Sequence, residues 1–536
     1  MELNLFNAKR NNKIIGILLV VYLFIISFVQ LIIDDSINNL ICLFILFFSG
    51  VITTTYLFYF YNFLYNPISS IVIFGYSLYY FFLPPFATSL EGKPVINNLI
   101  LPIETYTHAF LFALFTIFFH WGYKYLLKLI NIKFIWEKYF KVTHVFSNIS
   151  ANQVIVITVI SVLSLISSIY LKEANETNDF LKFLQGISYF VFFPYILSLP
   201  ELFNVQSIKS KSSVLFIYTL FILILGTLLN GRSFVFLGIS SLIILLFFLY
   251  IFGAKTISLK KIFSKKVFIT LFIFINLIEP ATKLSLSFVL ARGIRNDVSA
   301  FELFNETISQ YKSIENPKYI LELLKDVEEG NEWDEYYVTN PFLSRLCNLK
   351  YTDNILVMNS TFNNEDKASY RTIEFDKTLS IFPLPILKLF GSQINKEEIT
   401  SGSSGDFLFF IQTGELKTIG TFRTGSLIGS SYILFGWLYL IIVPLIIVII
   451  FSIFDSLVLF KRLDKYKFSI QFSPLVLISL FPILFFLTSA ANGSESITNI
   501  FGMIRLMIEK PILYLVLFTT SSVFSFKSLR IKSINN

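Results

Sequence analysis

With 536 residues that are 55% hydrophobic, 18% aromatic and only 15% charged, the chain lies far outside the usage of soluble domains, where charge is nearer a quarter of the total. That excludes a soluble globular enzyme, leaves no expectation of a nucleic-acid partner, and implies an all-α polytopic integral membrane protein. The net charge is +8, yet the polar stretch from Ala291 to Gly425 is biased acidic, with about twenty Asp/Glu against fourteen Lys/Arg, so the positive charge must sit in the short loops.

In chain order, the first apolar run, Ile14 to Ile33, follows Lys9, Arg10 and Lys13. It is long enough to cross about 30 Å of hydrocarbon and has no small-residue cleavage site before Asp34, so it reads as a retained span rather than a signal peptide. The pattern predicts about twelve spans, near 14–33, 39–63, 68–86, 104–127, 153–171, 183–200, 213–229, 233–252, 267–290, 427–452, 470–489 and 498–526. The chain then divides into 1–290 with spans one to nine, a large 291–425 segment, and 426–536 with spans ten to twelve and a tail.

Basic residues collect at alternate connections: the N-terminus, the 124–141 loop, the 255–266 loop, the 461–467 loop and the tail with Lys527, Arg530 and Lys532. Positive loops stay inside. Both termini are therefore expected in the cytoplasm, and the 84–103 loop, the acidic turn with Glu173, Glu176 and Asp179, and the 291–425 segment outside.

Cys42 lies in a span and Cys347 in the large segment, so no disulfide is expected. His108 and His120 share a span but sit about 120° apart around a helix, which argues against a histidine metal site. Within the large segment, Tyr319 to Glu329 and Pro383 to Phe390 suit short helices, the second lying at the interface. Ser401-Gly402-Ser403-Ser404-Gly405 reads as a hinge or an ordinary turn before the apolar Phe407 to Ile411.

Charges near or within spans are the candidate functional residues. Arg232, in the tight turn Asn230-Gly231-Arg232-Ser233, offers five fixed donors to an anion such as a lipid-borne diphosphate, or anchors a span end by snorkelling. Arg292 and Arg295 leave span nine on the same face and Arg423 enters span ten there. Glu279 and Lys283, four apart beside Pro280, are expected to pair along their helix, because a lone charge near the bilayer centre costs at least about 2.5 kcal/mol. Arg505 and Glu509 repeat that spacing before Pro511, either as a satisfied pair or in a lipid or sugar pathway.

Several pieces together resemble the Wzy-type O-antigen (oligosaccharide repeat unit) polymerases: Asn66-Pro67 opening span three with its aromatic Tyr76 to Phe86 stretch and Pro84-Pro85; the Gly231-Arg232-Ser233 turn; one large late exterior segment; and Ser426 to Trp437 opening the next span. Relatives lead one to expect an acidic residue around Ser430-Ser431, and none is there. An arginine followed eleven residues later by glycine, found in some members, is not met at Arg232, Arg292 or Arg423.

The resemblance implies a GT-C-like fold and a glycosyltransferase of the bacterial cytoplasmic (inner) membrane. It would move the growing undecaprenyl-diphosphate-linked chain onto a new lipid-linked repeat unit at the outer face, building an O-antigen, capsule or exopolysaccharide. Partners would be the undecaprenyl-diphosphate-linked oligosaccharide, membrane lipid and a chain-length regulator protein; no cofactor or metal is called for. Such chemistry needs a cationic clamp for the leaving diphosphate and a group to take the acceptor proton. Arg232, Arg292 and Arg295 with Glu302 would form the catalytic set, and Arg423, Arg505, Asp406 and Glu415 would bind substrate, although Glu302, Asp406 and Glu415 all remain open as the base.

An O-antigen ligase would share the layout but should carry a histidine in the large segment, which has none. A mannosyltransferase-type enzyme would match Asp34-Asp35 but needs a long first exterior loop, here about five residues. A lipid-linked oligosaccharide flippase or transporter is the alternative from another class.

Overall fold

The computed structural model describes residues 2–129, 132–173, 179–206, 212–228, 232–258, 278–291, 300–314, 333–389, 394–488 and 496–534, with 264, 269, 272, 276 and 298. It is about 78% helical, as a membrane-embedded chain must be when hydrocarbon offers its backbone no other partner. Among the described residues seven helices are long and apolar enough to cross a membrane: Leu5–Ile33, Ile37–Tyr59, Pro67–Leu90, Pro102–Leu126, Ala151–Ser168, Phe180–Ser198 and Leu427–Asp455. They fall on expected spans one to six and ten. Shorter apolar helices, Ser213–Gly226, Leu237–Ile251 and Leu475–Leu484, fall on spans seven, eight and eleven. The end of span nine is the helix Ile278–Leu290, and the last helix runs Ile497–Ile534.

Two boundaries differ from expectation. The first helix begins at Leu5, capped by Asn4 Oδ1, which accepts from Phe6 N at 2.8 Å. Residues 470–472 are not the start of a span but the end of the strand Lys467–Phe472, which pairs antiparallel with Val458–Arg462 on one side and Glu2–Asn4 on the other. Alternation explains this: Phe468, Ile470 and Phe472 are buried, and Phe472 packs on Phe203, Phe248 and Phe252, a period of two that a helix would scatter.

This small sheet gathers the basic connections at one end of the bundle. It joins the N-terminus to the 461–467 loop. Asn11 Nδ2 donates to Tyr250 O and Lys255 O, each at 2.7 Å, and Gln471 Nε2 donates to Phe146 O at 3.2 Å, bringing in two more. The last helix comes to the same end, where Gln153 Nε2 donates to Ser522 Oγ at 2.8 Å.

At the opposite end, the large segment folds down onto the bundle. Glu91 accepts from the backbone N–H groups of Thr339 (2.9 Å) and Asn340 (2.7 Å), and Asp353 accepts from Ile100 and Leu101 N–H at the head of the helix Pro102–Leu129. Asp353 and Lys350 form an ion pair of 3.3 Å with both side chains buried. Tyr337, Val338, Leu343, Cys347 and Leu349 belong to the same core as the membrane helices, whereas Trp333, Met358, Phe362, Tyr370, Leu408 and Phe409 form a second cluster with Ile433. The described part of the segment is thus mostly helical and partly merged with the bundle. Cys42 and Cys347, expected to be held apart, are both buried near Tyr106 and Tyr337; both thiols are free.

Candidate functional site

The helix Asn364–Ser380 is strongly polar, and its start is set by a capping box in which Asn363 and Asp366 exchange side-chain and backbone bonds. Tyr370, Glu374 and Lys377 recur at a spacing of four and three residues, so they share one face, and all three are buried. That face meets two helix starts, Ser404–Thr413 and Ile497–Ile534.

Glu374 is held by hydroxyls. Ser404 Oγ donates to Oε1 in a short bond and Thr498 Oγ1 donates to Oε2 at 3.2 Å, while Thr378 and Thr498 hydroxyls meet at 2.9 Å. Lys377 Nζ donates to Gly402 O at 3.0 Å and lies 5.1 Å over the Phe407 ring. The Tyr370 hydroxyl faces Glu374, Ser404 and Ser430 without forming a well-aligned bond to any of them; burial first, then the Glu374 charge, push its phenol well above the usual tyrosine range. Ser431 Oγ and Ser496 Oγ, neighbours of Ser430 and of the Ile497 helix start, are likewise buried with no hydrogen-bond partner among the described residues. Of these unmatched hydroxyls, Tyr370 is the one that lies beside the Glu374 carboxylate.

Two turns down the last helix, about 10 Å at 1.5 Å per residue, lies a cationic group. Arg505 Nε pairs with Glu509 Oε1 at 2.5 Å, and its Nη1 donates to Ile381 O at 2.7 Å, tying the end of the Asn364–Ser380 helix to this level. Lys396 Nζ donates to Phe382 O at 2.9 Å. Burial, then the positive charges of Arg505 and Lys182, hold Lys396 below the usual lysine range. Lys182 belongs to the helix Asp179–Ser188, which packs so closely on the last helix that a Cβ at Gly186 would come within 2.9 Å of Leu513 Cδ1. Lys182, Lys396 and Arg505 thus come from three helices into one region, where Glu509 pairs with Arg505.

Of the residues singled out in the sequence, Arg505 lies in this region. Asp406 does not: fully buried, it accepts from Ser403 N–H (3.0 Å), Gly420 N–H (3.1 Å), Phe422 N–H (2.9 Å), Arg423 N–H (2.9 Å) and the Thr421 hydroxyl (2.8 Å), so its lone pairs are committed to the fold. Arg423 also lies in this part of the large segment. Its guanidinium bonds Thr418 O at 3.2 Å and Thr421 Oγ1 at 2.5 Å and stacks 4.1 Å from the Phe409 ring centre. The Ser401–Gly405 stretch is a helix start, with Ser403 capping and Asp406 completing a capping box, rather than a hinge. Glu415 is an exposed partner of Lys417 at 3.3 Å, and Glu302 is exposed in the first turn of the helix Ala300–Ser313. Glu279 and Lys283 pair at 3.4 Å, as their spacing predicts. Arg232 opens the helix Arg232–Ile251, but its side chain, like Arg292 and Arg295 altogether, lies outside the described residues.

Glu374, Lys377, Lys396 and Lys182 escaped the sequence reading. The signal for the first two was a buried polar face at helical spacing; the last two show only once distant helices meet.

A second polar centre lies inside the bundle toward its basic end. Tyr56 OH and His120 Nδ1 are 2.7 Å apart, His120 Nε2 and Ser69 Oγ 2.8 Å, and Ser69 Oγ donates to Asp455 Oδ2 at 2.7 Å. Among the described residues no cluster of His, Cys, Asp and Glu could hold a metal ion. The chain matches no protein-family model, and no curated protein or solved structure is significantly similar to it.

Proposed function

We propose that the chain polymerises lipid-linked oligosaccharide repeat units at the outer face of the cytoplasmic membrane, with about twelve spans in a GT-C-like arrangement and both termini cytoplasmic. The observation that carries this is the buried carboxylate of Glu374, which accepts from the Ser404 and Thr498 hydroxyls beside Tyr370, two turns from the level of Arg505, Lys396 and Lys182 at the junction of the large segment with the last helix. A glycosyl transfer onto a lipid-linked acceptor needs those two elements. The acceptor hydroxyl attacks the anomeric carbon of the chain's first sugar, Glu374 takes the hydroxyl proton, and the bond from that carbon to the diphosphate oxygen breaks. Undecaprenyl diphosphate leaves with its new charge against the cations. Arg232, Arg292 and Arg295 remain proposed further contacts to the diphosphate.

The test is the surface polysaccharide of a deletion strain. Loss of long chains with single repeats retained is the expected result, and restoration by the unchanged chain but not by Glu374→Gln at equal protein level completes it. Full-length polymer from Glu374→Gln would overturn the assignment of the base. A transporter is the second reading, favoured by the titratable Tyr56–His120–Ser69–Asp455 chain inside the bundle. Loss of every repeat on deletion would decide for it.

A further inference from the structure

On the flank of the bundle, between the helix Ile37–Thr54 with its π-helical continuation Thr55–Tyr59 and the helix Pro102–Leu129, there is a groove of about 460 Å³. This is within the range of about 300–1,000 Å³ typical of small-molecule sites. The groove exists because the first of these elements unwinds. Its regular turns give way to the π turn and then to Tyr61 in the left-handed region, φ 57°. Asn62 closes the break: its Nδ2 donates to Tyr56 O at 2.5 Å, and its Oδ1 accepts from Lys124 Nζ at 2.7 Å.

The floor and walls are apolar, with Phe60, Phe118 and Trp121 exposed on the flank, where a bilayer would cover them. The mouth is cationic. Lys124, which lines the groove, has its Nζ 5.0 Å over the Tyr56 ring, and Lys9 Nζ lies 5.2 Å over the ring of Tyr61, the residue next to the groove's Phe60. Both are at the end of the bundle that carries the basic connections.

We infer that this groove binds one anionic glycerophospholipid, with an acyl chain along the aromatic trough and its phosphate against Lys124 and Lys9. A soluble anion would gain nothing from the trough, and a neutral lipid nothing from the two lysines. Each lysine near a lipid headgroup is worth roughly fivefold in affinity.

Native mass spectrometry of the full chain, titrated with phosphatidylglycerol and with phosphatidylcholine of the same acyl length, tests this. Phosphatidylglycerol should bind the more tightly, Lys124→Ala should cut its affinity about fivefold while leaving phosphatidylcholine unchanged, and Lys124→Arg should restore it. Leu114→Trp, which fills the trough, should weaken both lipids. Should Lys124→Ala fold poorly, Lys9→Ala reads the same charge from another helix. Equal binding of the two lipids by the unchanged chain, or a phosphatidylglycerol preference that survives both lysine substitutions, overturns the inference. So does glycerol phosphate alone binding as tightly as the intact lipid.

Discussion

Glu374 and Asp406 are buried carboxylates on neighbouring helices of one segment, and their partners assign them opposite roles. Asp406 is saturated by four backbone N–H groups and a hydroxyl. Asp406→Ala strands several buried donors, so it should lower stability on the order of 3 kcal/mol and appear as lost protein and easier proteolysis around 403–423. Glu374 receives two hydroxyls and lies beside the Tyr370 phenol, so Glu374→Gln keeps an acceptor for Ser404 and Thr498 and should fold. What it removes is a proton acceptor, so polymer formation should fall about a hundredfold or more at unchanged protein level, read by quantifying long-chain polysaccharide against protein. Glu91 adds a pH dependence. Burial raises its carboxyl, but the Asn340 and Thr339 N–H groups and Lys93 outweigh that and hold it below the usual range. A carboxylate with a lowered folded value contributes stability that is full above its unfolded value and is lost as pH falls through the folded one. Acid should therefore loosen the contact between the 84–103 loop and 339–340 in the unchanged chain. Glu91→Gln should show a smaller acid-dependent loss, measured by proteolysis across pH 3 to 6.

At the scale of elements, close approach of helices is where sequence and structure part company. Gly75 looks like any small residue in an apolar run, but a Cβ there would lie 1.9 Å from Leu484 O, because the helices Pro67–Ser77 and Leu475–Leu484 touch backbone to backbone. Gly122 has nothing within 4 Å of the same atom. Gly75→Ala should therefore cost about 1–3 kcal/mol or prevent folding, whereas Gly122→Ala should be neutral to slightly stabilising; thermal unfolding in detergent compares the two. The long apolar runs were legible because length and composition alone specify a membrane helix, and so were the Glu279–Lys283 and Arg505–Glu509 pairs, because i,i+4 spacing is local. The strand Lys467–Phe472 was misread because its residues are apolar enough to continue into the next span, and only the alternation of Phe468, Ile470 and Phe472 betrayed it. Ser401–Gly405 suits a hinge or an ordinary turn because Gly and Ser serve turns and helix caps alike; Asp406 three residues after Ser403 is the mark of the helix start it is. The cationic group around Lys396 had no local signature, since Lys182, Lys396 and Arg505 come from three separate helices.

Across the whole molecule, the alternation of loop charge is matched by geometry. The N-terminus, the loops after Tyr250 and Phe454 and the connection near Phe146 are tied together at one end, while the 84–103 loop and the 333–353 stretch are tied together at the other. The proposed orientation puts the basic end in the cytoplasm, as the positive-inside rule favours. The native thiols are poor reporters of this. Both are buried, and Cys347 is held well above the usual thiol range by burial and then by the Glu91 charge, so neither should react with maleimide until the chain unfolds. That inertness makes the unchanged chain a clean background for introduced cysteines. Ser401 and Lys465 are both exposed, on the large segment and in the turn between the two longer strands. In intact cells an impermeant maleimide should label Ser401→Cys and spare Lys465→Cys until lysis. Labelling of both from outside would mean the sheet end is not cytoplasmic, and labelling of Lys465→Cys alone would invert the protein and remove the outer face on which the proposed transfer depends.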